Sequence, residues 1–335
     1  MTQPATIDKY QIIKPLGHGH FGQVYHAFDR ALNAEKAIKI LNTTDPSTFM
    51  ESLREAQTLN KLTHKHIVTI NEANIFNVDG QQRVVLDLEY IPQGSLESAL
   101  SSRWLSIREA VSYLRGALIG LEHAHSQGFL HRDIKPGNIL LAPNAPKLSD
   151  FGLATQPSAS YGSDRGYITH LPPEFFSARS TSVRTDVFAA GVTLFRTLSN
   201  ISSWGSILSA TPNVRQHVER GTLIQRVGFQ EFIPQPVIRI VRKACHRDAN
   251  NRYQSATLMR QQLDRLRFSI DWIKQSEFEW SGADGKHEYF ATTNAGNDLT
   301  VKRNGRRINQ LCGAFPTSTE ALSALHRHIA DTTLA

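Results

Sequence analysis

Two stretches, HRDIKPGNIL (131–140) and KLSDFGLA (147–154), constrain this chain more than any other feature. Close together they set two aspartates, a lysine and an asparagine between apolar runs. Phosphoryl transfer needs a carboxylate to orient a hydroxyl and accept its proton. It also needs oxygen ligands for magnesium beside a triphosphate, and fixed positive charge for the transferring group. Asp133 can meet the hydroxyl, Lys135 the phosphate charge and Asn138 a metal, while Asp150 offers a second, stronger metal ligand.

Upstream, GHGHFG (17–22) lies between the apolar runs YQIIKPL and QVYHAF. Its three glycines could cradle phosphate, and His18 and His20 could hold a metal. A dinucleotide fold would place a helix directly after the glycines; here a strand, QVYHAF, follows. A metal site on the two histidines would need further ligands, and the chain offers no clear partner motif. YQIIKPL, QVYHAF, EKAIKIL and QRVVLDLEYI read as strands. DPSTFMESLREAQTLNKL reads as a helix, with Asp45 as its cap and Phe49, Leu53, Ala56, Leu59 and Leu62 on one face. From Ser106 the pattern turns helical, first in SIREAVSYLRGALIGLEHAHSQG, then in TDVFAAGVTLFRTLS, QPVIRIVRKAC and SATLMRQQLDRLRF.

The ordered set of motifs resembles the eukaryotic-type protein kinase family across roughly residues 10–267. The resemblance implies an α+β, bilobal fold with a strand-rich small lobe (1–90) and a helical large lobe (91–267); residues 268–335 lie beyond it and read from their own pattern as a small α+β module. It implies ATP and Mg2+ as cofactors and protein serine or threonine hydroxyls as acceptors, because Lys135 of D-x-K is the serine/threonine-kinase arrangement. Lys39 matches the family lysine on the α- and β-phosphates, and Glu55 the glutamate paired with it. Gly17, Gly19 and Gly22 become a flap over the phosphates, with Phe21 at its tip shielding them from water. Val24, Ala37 and Leu140 enclose adenine, and the backbone of Glu89, Tyr90 and Ile91 binds it, with Leu88 as gatekeeper. Asp133 and Lys135 are catalytic, and Asn138 and Asp150 hold the metal. Glu174 of LPPE pairs with Arg252, and Asp186 braces the catalytic loop, with Gly191 five residues on.

Some positions depart from the family pattern. GYITHLPPE puts Tyr167 where a threonine is common, His170 where tyrosine or tryptophan is usual, and Pro172 in place of alanine. These bear on substrate docking more than on nucleotide chemistry. Lys36 replaces a valine and is expected on the strand's other face, where it matters little. Thr155, Ser158, Ser160, Tyr161 and Ser163 lie where an activation segment belongs, and Arg132 could order a phosphate there, so autophosphorylation is expected.

The last segment reads as strands FEWSG, HEYFATTNA, DLTVKR and RRINQL, with an Asn304-Gly305 hairpin turn and a closing helix capped by Ser318 or a neighbouring hydroxyl. A regulatory or docking partner is its expected use. His326 and His328 are expected on the helix surface. Lys302, Arg303, Arg306 and Arg307 cluster about the hairpin, a pattern more often solvated than bound. Residues 268–335 carry seven basic and eight acidic side chains, so the excess positive charge of the chain lies in residues 1–267. That excess is too mild for a dedicated nucleic-acid binder. Cys245 and Cys312 read as free thiols of a reducing compartment. With neither a signal peptide nor a long apolar run, a cytoplasmic location and no membrane contact are expected.

Two alternatives remain. One is a pseudokinase scaffold that binds nucleotide or partners without turnover, against which Lys39, Glu55, Asp133, Asn138 and Asp150 are all present. The other is a small-molecule phosphotransferase, whose relatives tend to lack the DFG, LPPE and Arg252 features together.

Overall fold

The computed structural model describes residues 6–19, 22–41, 46–78, 80–151 and 168–335; the side chains at 18, 46–49, 51–52, 55 and 168 also fall outside it. The small lobe is an antiparallel sheet of β1 (Thr6–Ile7), β2 (Tyr10–Gly19), β3 (Gly22–Asp29), β4 (Ala34–Leu41), β5 (Ile70–Val78) and β6 (Gln81–Glu89), ordered β1-β2-β3-β4-β6-β5. Helix α1 (Pro46–Lys61) packs on it, starting at a proline that lacks the N–H a first helical turn leaves unpaired anyway. Its buried Ala56 and Leu59, with Leu62 just beyond, lie on the expected stripe. Asp45 lies outside the described residues.

Helices α2 (Leu96–Ser102) and α3 (Ile107–Ser126) open the large lobe, and the hairpin of β7 (Ile139–Ala142) and β8 (Ala145–Leu148) forms the floor between lobes. Then come α4 (Pro173–Ala178), α5 (Val183–Leu198), α6 (Trp204–Ala210), α7 (Val214–Glu219), α8 (Leu223–Val227), α9 (Gln235–Ala244) and α10 (Ala256–Asp264). Nearly all of α5 is buried, so it serves as the axis against which α3 and α9 pack.

The C-terminal segment forms a second antiparallel sheet, β9 (Asp271–Lys274), β10 (Glu279–Ala283), β11 (Glu288–Thr293), β12 (Asp298–Arg303) and β13 (Arg306–Arg307) in order, with β14 (Gly313–Ala314) also on β12. Helix α11 (Ser318–Thr333) covers one face. Asn304 and Gly305 both take positive φ, as the predicted two-residue turn requires. Six strands, β1, β5, β7, β8, β9 and β14, add to those read from sequence, and RRINQL is a strand only at Arg306–Arg307. This segment shares its core with the large lobe: Trp280 packs against Trp104 (5.7 Å between ring centroids) and Phe232 (5.0 Å). His326 stands edge-on to Phe232 and His328 to Trp272, so the expected surface positions are instead half-buried against aromatic rings. The reason is that α11 turns this stripe toward the sheet and the lobe beneath it.

Candidate active site

The lobes enclose a cleft of about 530 Å³. On its upper side, Val24 pairs with Gly17 on one strand and Lys39 on the other. Cross-strand neighbours project to one face, so Val24, Lys39 and Ala37 two residues before it all look into the cleft. Gly22 must be glycine because a Cβ there would sit 2.1 Å from the Ile40 carbonyl oxygen. Gly19 faces Gly22 in the hairpin ladder, and the tip residues His20 and Phe21 lie outside the described residues. Lys36 does occupy the opposite face, but it is not idle. Its Nζ lies 3.5 Å from the buried Asp87 carboxylate, which also accepts from Tyr10 Oη (3.0 Å) and Asn71 Nδ2 (2.9 Å).

Glu89, Tyr90 and Ile91 form the back wall, beside Leu88, with Leu140 below. The Ile91 N–H has no hydrogen-bond partner among the described residues. Tyr90 is stacked on His26, with ring centroids 3.9 Å apart and planes at 9°.

The floor is built by one buried carboxylate. Asp186 accepts from the backbone N–H groups of His131 (2.9 Å) and Arg132 (2.7 Å) and from His125 Nε2 (2.8 Å). These bonds hold Arg132 in the left-handed region at φ 66°, a conformation that costs a non-glycine residue about 1–2 kcal/mol. Burial would raise the Asp186 pKa, but His125 and the loop amides hold it below the usual carboxylate range. His131 is fully buried and therefore pushed toward its neutral form. Its Nδ1 accepts from the Asp133 N–H, which leaves Nε2 to donate to the Ser149 carbonyl (3.1 Å). The sequence reading missed His125, whose partner lies 61 positions away. Its only sequence signal is a histidine in the last turn of a helix that leads into the loop.

Above this base, Asp133 Oδ2 accepts from Lys135 Nζ (2.6 Å) and Asn138 Nδ2 (2.9 Å). Asn138 Nδ2 also donates to the Asp133 carbonyl (2.8 Å). Asp133 Oδ1 is buried and has no hydrogen-bond partner among the described residues. Lys39 Nζ donates to Asp150 Oδ1 at 2.8 Å. Burial alone would raise the Asp150 pKa, yet the Lys39 ammonium keeps it below the usual range and the group charged. The Glu55 side chain lies outside the described residues, as do Thr155, Ser158, Ser160, Tyr161, Ser163 and Tyr167.

Asn138 and Asp150 both line the cleft, and they suit a hard cation. Because the Asn138 amide nitrogen is engaged by Asp133, its carbonyl oxygen is the group left for a metal. Outside the cleft, Arg252 binds Glu174 through both terminal nitrogens (2.6 and 2.8 Å). The buried His170 stands edge-on to Trp204, whose Nε1 donates to Thr169 (2.9 Å).

The protein kinase domain model matches residues 10–263. A probable serine/threonine-protein kinase of Streptomyces coelicolor is 31% identical over 267 residues, which cover 75% of this chain and 39% of that protein. The serine/threonine-protein kinase PknB of Mycobacterium tuberculosis is 29% identical over 79% of this chain and 44% of its own length. PrkC of Bacillus subtilis is 28% identical over 89% of this chain and 49% of its own length. The chain thus matches less than half the length of each of these relatives.

Proposed function

The chain belongs to the protein kinase family, and from that premise we propose that it is an active serine/threonine kinase that transfers the γ-phosphoryl group of ATP to protein hydroxyls. The observation that carries this reading is the state of Asp133: one carboxylate oxygen engaged by Lys135 and Asn138, the other buried and unengaged among the described residues. An incoming hydroxyl would donate to Oδ1. As its oxygen bonds to the γ-phosphorus and the bond to the β-bridging oxygen breaks, its proton passes to Asp133. Lys135 neutralises charge on the transferring group, and Lys39 is placed to meet the α- and β-phosphates. Mg2+, held through Asn138 and Asp150, would supply charge neutralisation between the phosphates. Lys135 and the names of the relatives above support serine or threonine as acceptor. No helix among the described residues is long and apolar enough to cross a membrane, which accords with a cytoplasmic place of action.

The test is transfer of label from γ-labelled ATP with Mg2+, to generic protein substrates and to the chain itself, in wild type and Asp133→Ala. We expect label in the wild type, with a fall of at least about a thousandfold in the variant. Label on the chain itself would be the autophosphorylation expected for the segment 155–163. No label above the variant in any sample would overturn the reading in favour of a nucleotide-binding scaffold.

A further inference from the structure

We propose that Lys147 is a positioning residue for the nucleotide, which sets the spacing between the floor of the cleft and its back wall. The inference rests on the nucleotide reading of the cleft and assigns to that site a residue that touches no nucleotide itself.

Lys147 lies on β8, directly opposite Leu140 on β7, and Leu140 is the floor. From there its Nζ reaches Glu89 Oε1 at 2.5 Å. The same oxygen accepts from the Thr69 N–H at 2.7 Å, and the Glu89 N–H donates to the Thr69 carbonyl at 3.1 Å. Glu89 is therefore fixed from both lobes, by small-lobe backbone and by a large-lobe ammonium. Its carboxylate is drawn to Thr69 and Lys147, which leaves the wall at Glu89–Ile91 to act through its backbone. The neighbouring residue completes the strap. Leu148 donates to the His66 carbonyl (2.9 Å) and accepts from the Val68 N–H (2.8 Å).

A flat base held between Ala37 and Leu140 makes its hydrogen bonds only if the Ile91 N–H stands at the right height above that floor. Lys147 connects the two by one side chain. The pair is mostly shielded, with side-chain exposures of 15% for Lys147 and 27% for Glu89. Loss of the ammonium leaves a mostly shielded hinge carboxylate without its counter-charge and held only from the small-lobe side, by the Thr69 N–H.

The experiment measures ATP KM and kcat, together with direct binding of a fluorescent ATP analogue with Mg2+, in wild type, Lys147→Met, Lys147→Arg and the double variant Lys147→Met/Glu89→Gln. Lys147→Met should raise KM and the analogue's Kd about tenfold, the loss expected for one charged hydrogen bond. Its kcat at saturating ATP should stay within about twofold of wild type, because the group acts on binding alone. Lys147→Arg should restore most of the affinity, and Glu89→Gln should add little in the Lys147→Met background. A wild-type protein that binds no analogue overturns the nucleotide reading itself. A wild type that binds, with Lys147→Met binding equally well, overturns only the role of Lys147. So does a variant in which kcat, affinity and melting temperature all fall together.

Discussion

The guanidinium of Arg252 is almost wholly buried yet saturated with partners. It binds Glu174 twice, donates from Nε to the His246 carbonyl (2.6 Å) and from Nη2 to the Arg247 carbonyl (3.1 Å), and lies over the Phe188 ring. The pair ties the first turn of α4 to the turn before α10, 78 positions apart. Removing the carboxylate would strand a buried charge. Glu174→Ala should therefore destabilise the chain by about 3 kcal/mol, the low end for a broken buried pair because Glu174 is partly exposed. Urea denaturation of the variant checks this, and a loss under about 1 kcal/mol would mean that the pair matters little. The Glu174–Arg252 pair was legible in the sequence because both residues sit in short motifs of fixed spacing. Gly191 was legible too, and its reason is steric: a Cβ there would lie 2.5 Å from Cys245 Sγ and 2.8 Å from Ala244 Cβ, so α5 and α9 meet only at a glycine. His125 was not legible, since nothing local separates a histidine that braces a buried aspartate from one at the surface.

Among the elements, α3 carries its boundaries in its own residues. Ser106 accepts from the Glu109 N–H (3.1 Å) while the Glu109 carboxylate accepts from the Ser106 N–H (3.0 Å), which closes a capping box. Arg103 binds the same Glu109, so one carboxylate serves the helix start and the turn before it. Ser106→Ala should cost about 1 kcal/mol, and Ser106→Asp should recover most of it. Equal denaturation midpoints for wild type and Ser106→Ala would overturn the cap's role. The strands that escaped sequence reading lack such signals. Residues of β5 are mostly exposed because it is the edge of the sheet, so INEANIFNV shows little of the apolar alternation that marks a half-buried strand. The four residues of β9 are too short to display a period, and only the packing of Trp272 under α11 gives them their place. The cleft was legible in outline because its residues fall in ordered motifs. The Lys147–Glu89 strap was not, because charge pairing across 58 positions leaves no local trace.

Taken as one body, the chain is built so that several histidines must stay neutral to remain packed. Burial lowers the pKa of His131 and His170 in the large lobe, of His64 and His66 on the strap region, and of His326 and His328 on α11. His326 faces Phe232 and Trp280, with the charges of Lys274, Glu231 and Glu277 nearby; His328 faces Trp272, with Asp331 as its nearby charge. The Nε2 atoms of both lie buried without a hydrogen-bond partner among the described residues, so a proton there would gain little. In the unfolded chain each histidine titrates near about 6.5. Below that pH the unfolded state binds protons that the folded state refuses, so stability must fall with acidification until the lowered native values are reached. Above it the contribution is constant. Thermal unfolding should therefore be flat from neutral to mildly alkaline pH, where these groups are concerned, and should decline as pH drops through 6. His328→Leu keeps the side chain against Trp272 without a titrating group, so its melting temperature should decline less steeply than that of the wild type over the same acid range. Because Trp280, Phe232 and Trp104 join the C-terminal sheet to the large lobe in one core, the flattening should appear in the cooperative unfolding of both together. Parallel pH slopes for wild type and His328→Leu would sink the argument, since the burial of that imidazole would then carry no proton linkage.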